Sequence, residues 1–330
     1  NRVLKKIGIV TIESFNLGNR LQNYALQEIL KNMGFQVETI RRSSEEENIL
    51  KRIMQEVLQT KRAKFRAFDK LINKSKWFAT KDEAPKEMCN EYDYFIAGSD
   101  QVWNPYYDFV GKTNFLEFAK HEQKIAYAAS FGVSELPEEA KKRYKDWLDD
   151  FKNIAVRENA GADIIEDLIN KDVSVVLDPT LMLNAENWRS LEKKPKNVPK
   201  TKYILVYSVE GMSENMKEVI EEKKKTYEVV DIRQKLKNGH EWAVGPAEFL
   251  YLVDHASELY TDSFHGTVFS ILFHTKFRIF ERDGINMNSR IETLLEKTGL
   301  KEEQKVDNVD KKLEELRYES QKYLDEALLK

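Results

Sequence analysis

The chain has 330 residues, more than one hydrophobic core usually serves, so two domains are expected. Its 56 acidic residues against 53 basic ones leave a formal charge of −3, which excludes the strong basic excess of a general nucleic-acid binder. A single cysteine, Cys89, excludes an internal disulfide framework and a cysteine-based zinc cluster, and fits a reducing compartment.

The first element is the apolar run Ile7 to Ile12, which reads as a buried parallel strand. The polar turn Glu13 to Asn19 leads into a helix whose stripe of Leu21, Ala25, Leu26, Ile29, Leu30 and Met33 faces a core. Gly34 stands where a C-terminal cap belongs, and Phe35 to Ile40 read as the next strand. This β-loop-α-β opening is the unit of a doubly wound sheet. Residues 45–80 interrupt it: Ile49, Leu50, Ile53, Met54, Val57 and Leu58 keep helical spacing, predicting one long amphipathic helix or a helical pair. The sheet resumes at Tyr92 to Ala97 and continues through strands at Lys124 to Ala129, Ile154 to Val156 and Val173 to Leu177, with a helix near Pro137 to Phe151.

The basic, proline-bearing stretch Lys193 to Lys200 is the candidate linker. Beyond it the alternation restarts: strand Tyr203 to Val209, helix Glu214 to Lys225, strand Tyr227 to Ile232, strand Leu259 to Thr261, a helix to Phe273, and strand Phe277 to Phe280. The tail, with Leu313, Leu316, Tyr323, Leu324 and Ala327, reads as an amphipathic terminal helix. The fold class is α/β: two Rossmann-like halves, residues 1–190 and 191–330, facing a cleft, with a helical insert in the first and the terminal helix in the second. No secretory pattern opens the chain, and no apolar run approaches the roughly 20 residues of a membrane span, so a soluble cytosolic protein is expected.

Four segments carry groups suited to chemistry. Asp262-Ser263-Phe264-His265-Gly266-Thr267 lies between a strand and a helix, where open α/β sheets bind ligands and a helix start receives phosphate or carboxylate. A histidine there, His265, is suited to proton transfer, although Ser263 and Thr267 equally suit helix capping. Phe15-Asn16-Leu17-Gly18-Asn19-Arg20 is a small amide-rich turn able to cradle an anion or a sugar hydroxyl, or simply to cap its helix through Asn19. Gly98 to Asn104 offers Asp100, Gln101 and Trp103 past a strand end, a carboxylate, an amide and an indole that together grip a sugar; Asp100 as a cap and Trp103 as core is the alternative. Arg157, at another strand end, suits a carboxylate or phosphate, or a structural ion pair with Glu158 or Asp178. The basic run Lys61 to Phe68, with Lys70, Lys74 and Lys76, fits either a solvated helix face or an anionic membrane surface. The five histidines, at 121, 240, 255, 265 and 274, lack metal-ligand spacing, so no metal site is expected. Neither a Walker lysine loop, a three-glycine dinucleotide fingerprint nor a serine-hydrolase elbow occurs.

In this order the segments NLGNRLQNYALQ (Asn16 to Gln27), FIAGSDQVWNP (Phe95 to Pro105), YAASFG (Tyr127 to Gly132), VRENAG (Val156 to Gly161), LDPTLML (Leu177 to Leu183), GPAEFL (Gly245 to Leu250) and TDSFHGTVFSILF (Thr261 to Phe273) resemble the polysaccharide pyruvyl transferases. The resemblance implies a GT-B-like pair of Rossmann-like domains, the first on the acceptor side and the second on the donor side. It implies phosphoenolpyruvate as co-substrate with no further cofactor, and a sugar diol as acceptor. Members modify capsular, exopolysaccharide or cell-wall repeat units, often lipid-linked at the cytoplasmic face, so peripheral membrane contact through the basic insert is an expectation, and nucleic acid is not a partner. The family's histidine-glycine pair maps onto His265 and Gly266, which makes His265 the catalytic candidate, and its donor-anion arginine onto Arg157. Beside these, Asp100 is read as the base, Ser263, Gly266 and Thr267 with the donor, and Asn16, Asn19, Arg20, Gln101 and Trp103 with the acceptor. Some members carry an arginine two positions before that histidine where this chain has Ser263, so Arg290 or Arg20 is the expected replacement cation. A nucleotide-sugar glycosyltransferase on the same architecture is the competing reading, although no Glu-x₇-Glu pair follows the strand at Tyr227. A silent sugar-binding protein is the third.

Overall fold

The computed structural model describes residues 4–42, 49–209, 211–234, 242–281, 289–301, 303–304, 306 and 308–329. The first sheet is laid down by β1 (Lys6–Val10), α1 (Leu17–Asn32), β2 (Gln36–Arg41), α2 (Ile49–Val57), α3 (Lys61–Asp69), β3 (Lys74–Phe78), β4 (Tyr94–Ala97), β5 (Lys124–Ala129), α4 (Glu138–Asp149), β6 (Asn153–Val156), α5 (Asn159–Ile169) and β7 (Ser174–Val175). Its seven strands run parallel in the order β3-β2-β1-β4-β5-β6-β7. Both faces are covered, as parallel pairing demands. Ile7, Ile9, Ile96 and Ile125 point to one core, while the alternate residues Val10, Phe95, Ala97 and Ala126 point to the other.

Two short helices, α6 (Pro179–Met182) and α7 (Ala185–Arg189), lead to the second sheet. It is built from β8 (Tyr203–Tyr207), α8 (Glu214–Lys223), β9 (Glu228–Asp231), α9 (Pro246–His255), β10 (Glu258–Thr261), α10 (Phe264–Leu272), β11 (Lys276–Ile279), α11 (Ser289–Thr298) and β12 (Glu303–Gln304). The order is β12-β11-β10-β8-β9, four parallel strands with β12 antiparallel at one edge. The last helix, α12 (Asp310–Leu328), crosses back to the first sheet. There the Tyr323 hydroxyl donates to the Ala126 carbonyl at 2.8 Å, the Leu177 N–H to Ser320 Oγ at 3.0 Å, and Arg317 Nε to the Leu181 carbonyl at 2.6 Å.

Several elements depart from the sequence reading. The insert is a helical pair, α2 and α3, but Lys74–Phe78 near its end form β3 on the sheet edge. The strand is short and lysine-bearing, the composition of an edge that repels other strands, and so it does not read as part of a sheet. Helix α9 starts at Pro246 with Gly245 as its N-cap, and like α5, α6, α7, α11 and β12 it is not among the elements read from the sequence. Among the described residues no helix is long and apolar enough to cross a membrane.

In each sheet the strand order reverses once, between β1 and β4 in the first and between β8 and β10 in the second. At such a switch point the loops leaving the two strands diverge and open a crevice at their carboxyl ends. The four loops concerned carry the Asn16, Asp100, Val209 and Ser263 segments.

Candidate active site

The four switch-point loops line a single cavity of about 240 Å³. From β1 come Ile12, Ser14, Asn16 and Asn19; from β4, Asp100 and Gln101; from β8, Val209; and from β10, Ser263, Phe264 and His265, with Arg290 from α11.

Helix α1 begins at Asn16, whose side chain accepts from the Asn19 N–H at 3.1 Å. The cap is therefore Asn16, not Asn19, and Asn19 is released to donate through Nδ2 to Asp100 and to accept from Ser14. Gly18 supports His265: a Cβ at this position would lie 2.2 Å from the imidazole Nδ1. Asp100 occupies the left-handed region at φ 72°, which aspartate tolerates better than most side chains. Its Oδ1 accepts from the Gln101 N–H at 2.9 Å.

His265 Nε2 stands 3.3 Å from Asp178 Oδ2. Asp178 also caps α6, accepting from the Thr180 N–H at 3.0 Å, and receives Arg157 Nη1 at 2.7 Å. Burial pushes the Asp178 carboxyl up, but His265 and Arg157 outweigh it, and the group is held well below the usual carboxylate range. Asp100 behaves alike: burial raises it, and Arg157, His265 and Arg290 together hold it below that range. Arg157 is buried among carboxylates, with Asp100 at 3.3 Å and Glu158 at 4.0 Å, and it lies 4.2 Å over the Phe264 ring. Burial opposes its charge, yet Asp100, Asp178 and Glu158 raise its pKa above the ordinary value. Glu158 is raised by burial despite Arg157 and Arg290. It accepts from Ser130 Oγ at 2.8 Å and from the Phe131 N–H at 3.2 Å.

Arg290 differs from every neighbour. It lines the cavity, is 7% exposed, and makes no hydrogen bond or ion pair among the described residues. Burial first, and then the like charge of Arg157, bring its pKa down to about 10, against the pull of Glu158 and Asp100.

The structure thus brings Asn16, Asn19, Asp100, Gln101, Ser263, His265 and Arg290 together and corrects the placement of five other residues. Arg157 does not line the cavity, and its two Nη groups are paired with Asp178 and Asp100, leaving only Nε without a hydrogen bond, so it is not a free donor ligand. The Gly266 N–H is spent on the Ser263 cap at 3.2 Å. Thr267 is spent twice, its N–H and its hydroxyl both bonding the Ser263 carbonyl, at 3.1 Å and 3.0 Å. Among the described residues the first-turn N–H groups of Phe264 and His265, which precede the first intrahelical bond of α10, have no hydrogen-bond partner. Arg20 turns to Asp69 at 2.7 Å. Trp103 is 0% exposed, stacks on Phe115 and donates to the Asn114 carbonyl at 3.1 Å, so it is core and not a sugar platform. Asp100, as an ionised acceptor for Asn19 and Arg157, is a poor base and a good orienting group.

Sequence reasoning offered Asp178 only as a structural ion-pair partner of Arg157, which it is, and missed its pairing with His265 across 87 positions. It also missed Tyr107 and Phe109, which close one side of the cavity. Among the described residues one cluster, Glu192, Asp254 and His255, places three ligand-type atoms within 4.8 Å of one another. Arg189 holds Asp254 at 2.9 Å and 3.1 Å, and none of the three lines the cleft. His240 lies outside the described residues.

Two sheets with facing switch points define a GT-B-like α/β fold, and solved structures share it. The chain is similar to a UDP-N-acetylglucosamine 2-epimerase at 11% identity and a TM-score of 0.52, covering 98% of this chain and 95% of that one. It is similar to the Neisseria meningitidis UDP-GlcNAc 2-epimerase, solved with UDP-GlcNAc bound, at 12% identity and a TM-score of 0.50, covering 98% and 94%. No curated protein matches the chain. The sequence pattern of the polysaccharide pyruvyl transferases matches residues 16–284, and the chain belongs to that family and to the transferases.

Proposed function

We propose that the cleft transfers the pyruvyl group of phosphoenolpyruvate to a sugar diol of a surface polysaccharide or its lipid-linked precursor, forming a ketal and releasing phosphate. Arg290 carries this reading. A guanidinium with no partner among the described residues, buried beside a histidine and beside the N–H groups that open α10, is arranged for an incoming anion. It takes the place of the cation absent at Ser263. The donor carboxylate and phosphate lie between Arg290 and the Phe264 and His265 N–H groups.

In the chemistry proposed, Asp178 orients His265 through Nε2, and Gly18 lets α1 pack closely against the other ring nitrogen, Nδ1. The imidazolium gives its proton to the methylene carbon, and a sugar hydroxyl adds to the central carbon as the imidazole takes that hydroxyl's proton. The C–O bond to phosphate then breaks, and the second hydroxyl closes the ketal, its proton leaving on the phosphate. Asn16, Asn19 and Gln101, steadied by Asp100, face the sugar.

Calorimetry of phosphoenolpyruvate against a panel of nucleotide sugars tests the donor. Phosphoenolpyruvate alone should bind, with affinity lost in Arg290→Gln, and His265→Ala should keep binding while turnover drops about 100- to 10,000-fold. Binding of a nucleotide sugar instead would transfer the assignment to glycosyl transfer.

The reading includes work at the cytoplasmic membrane face. Leu50, Ile53, Met54, Val57 and Leu58 form an exposed apolar patch on and just after α2. Residues 49–70 hold seven basic against two acidic side chains, the combination of an interfacial helix on anionic lipid. Sedimentation with anionic and neutral vesicles tests it: retention only by anionic vesicles, weakened by salt and by Ile53→Asp, is expected, and equal recovery from both rejects it.

A further inference from the structure

A second bay opens beside the cleft, with a volume of about 410 Å³. It shares Ile12, Ser14 and Phe109 with the cleft, so one extended ligand can occupy both. Ile12, Phe78 and Phe109 give it apolar walls, and Arg42 and Lys81 supply its positive charge.

Arg42 is the unusual member. Its Nη2 donates to Asn114 Oδ1 at 3.0 Å, but Nε and Nη1 are shut from water with no partner among the described residues. Glu13 also lines the bay, but its oxygens are engaged by Lys74 and by the Arg42 backbone N–H, at 2.8 Å for the latter, rather than by the guanidinium. Burial brings the Arg42 pKa down to about 10 in spite of Glu13 and Asp82. A desolvated guanidinium with two idle donors is costly unless an acceptor arrives. Its planar fork matches a carboxylate, and aromatic walls suit the apolar face of a sugar ring better than a free phosphate.

We infer that this bay holds an acidic sugar of the acceptor glycan, its carboxylate on Arg42, next to the sugar that is modified in the cleft. The inference rests on the acceptor half of the proposed function. It makes Arg42 a determinant of acceptor choice and directs the enzyme to polysaccharides with a uronic acid near the modified residue.

The test titrates the whole chain with methyl glucuronide, methyl glucoside and glucose 6-phosphate by ligand-observed NMR. The glucuronide should bind at least about tenfold more tightly than the glucoside, a difference of about 1.4 kcal/mol. Arg42→Gln should bring the two together and Arg42→Lys should keep part of the preference. The wild-type comparison stands whether or not either variant folds. Equal binding of the two glycosides, absence of glucuronide binding, or a preference retained in Arg42→Gln overturns the inference, as does tighter binding of glucose 6-phosphate, which would make the bay a phosphate subsite. Phosphoenolpyruvate affinity should be the same in Arg42→Gln as in wild type, and its loss there would make the bay part of the donor pocket and also overturn the inference. Absence of phosphoenolpyruvate binding in the wild type sinks the donor reading, while the glucuronide preference still decides the bay.

Discussion

Arg157, behind the cleft wall, and Arg290, lining the cleft, are both almost fully buried, yet they are treated in opposite ways. On the first-sheet side, Arg157 is enclosed by Asp100, Glu158 and Asp178, and its positive charge is favoured. On the second-sheet side, Arg290 has no carboxylate in contact among the described residues, and its charge is disfavoured. A buried ion costs several kcal/mol of lost hydration, and only close partners return it. The paired arginine is therefore framework, holding Asp178 behind His265. The unpaired one keeps its capacity for a ligand. Arg42 repeats the second pattern at the neighbouring bay.

The sharpest test of this contrast removes each arginine in turn. Arg157→Met leaves Asp178 and Asp100 buried without their cation, and should destabilise the protein by about 3–5 kcal/mol in denaturant unfolding. Arg290→Met removes a charge that Arg157 repels and should leave the ligand-free protein at least as stable, while abolishing phosphoenolpyruvate binding. Similar losses of stability in both variants would end the distinction.

A smaller effect is expected where the two sides touch. In Gly18→Ala the new methyl group would overlap His265 Nδ1. Overpacking of this kind costs about 1–3 kcal/mol, and displacement of the imidazole should lower turnover on the order of 100-fold with phosphoenolpyruvate affinity nearly unchanged. Turnover at the wild-type level would mean that His265 is not held by this contact.

The acid limb of stability gives the smallest effect. Asp178 and Asp100 are held below the ordinary carboxylate range when folded. As the pH falls below about 4, the unfolded chain takes up protons that the folded one refuses, so their contribution is present above that range and is lost on acidification. Asp178→Asn should flatten the acid limb by up to about 1.4 kcal/mol per pH unit, the slope due to one proton. An unchanged slope would place the acid-sensitive pairing elsewhere.

Much of the architecture was legible in the chain because it is written locally. The apolar runs at Ile7, Tyr92, Lys124, Tyr203 and Leu259 announce parallel strands, and the turns after them announce where the cleft lies, since a switch point needs only strand ends and short loops. Strand β3 was hidden because an edge strand with lysines lacks the apolar run of a central one.

The sequence by itself determined the α/β alternation, the family and the presence of His265, Asn16 and Asp100 at strand ends, because propensity, capping and hydrophobic period act over a few neighbouring residues. Only the tertiary structure decided which charged groups are spent and which are free. Arg157 finds Asp178 and Asp100 at separations of 21 and 57 positions, and His265 finds Asp178 at 87. Trp103 and Arg20 are drawn away from the cleft by Phe115 and Asp69. Among the described residues, the guanidinium groups of Arg290 and Arg42 are left without carboxylate contacts by the same packing. Whether a buried guanidinium is scaffold or ligand site depends on what folding brings within about 4 Å of it, and that distance has no counterpart in local sequence.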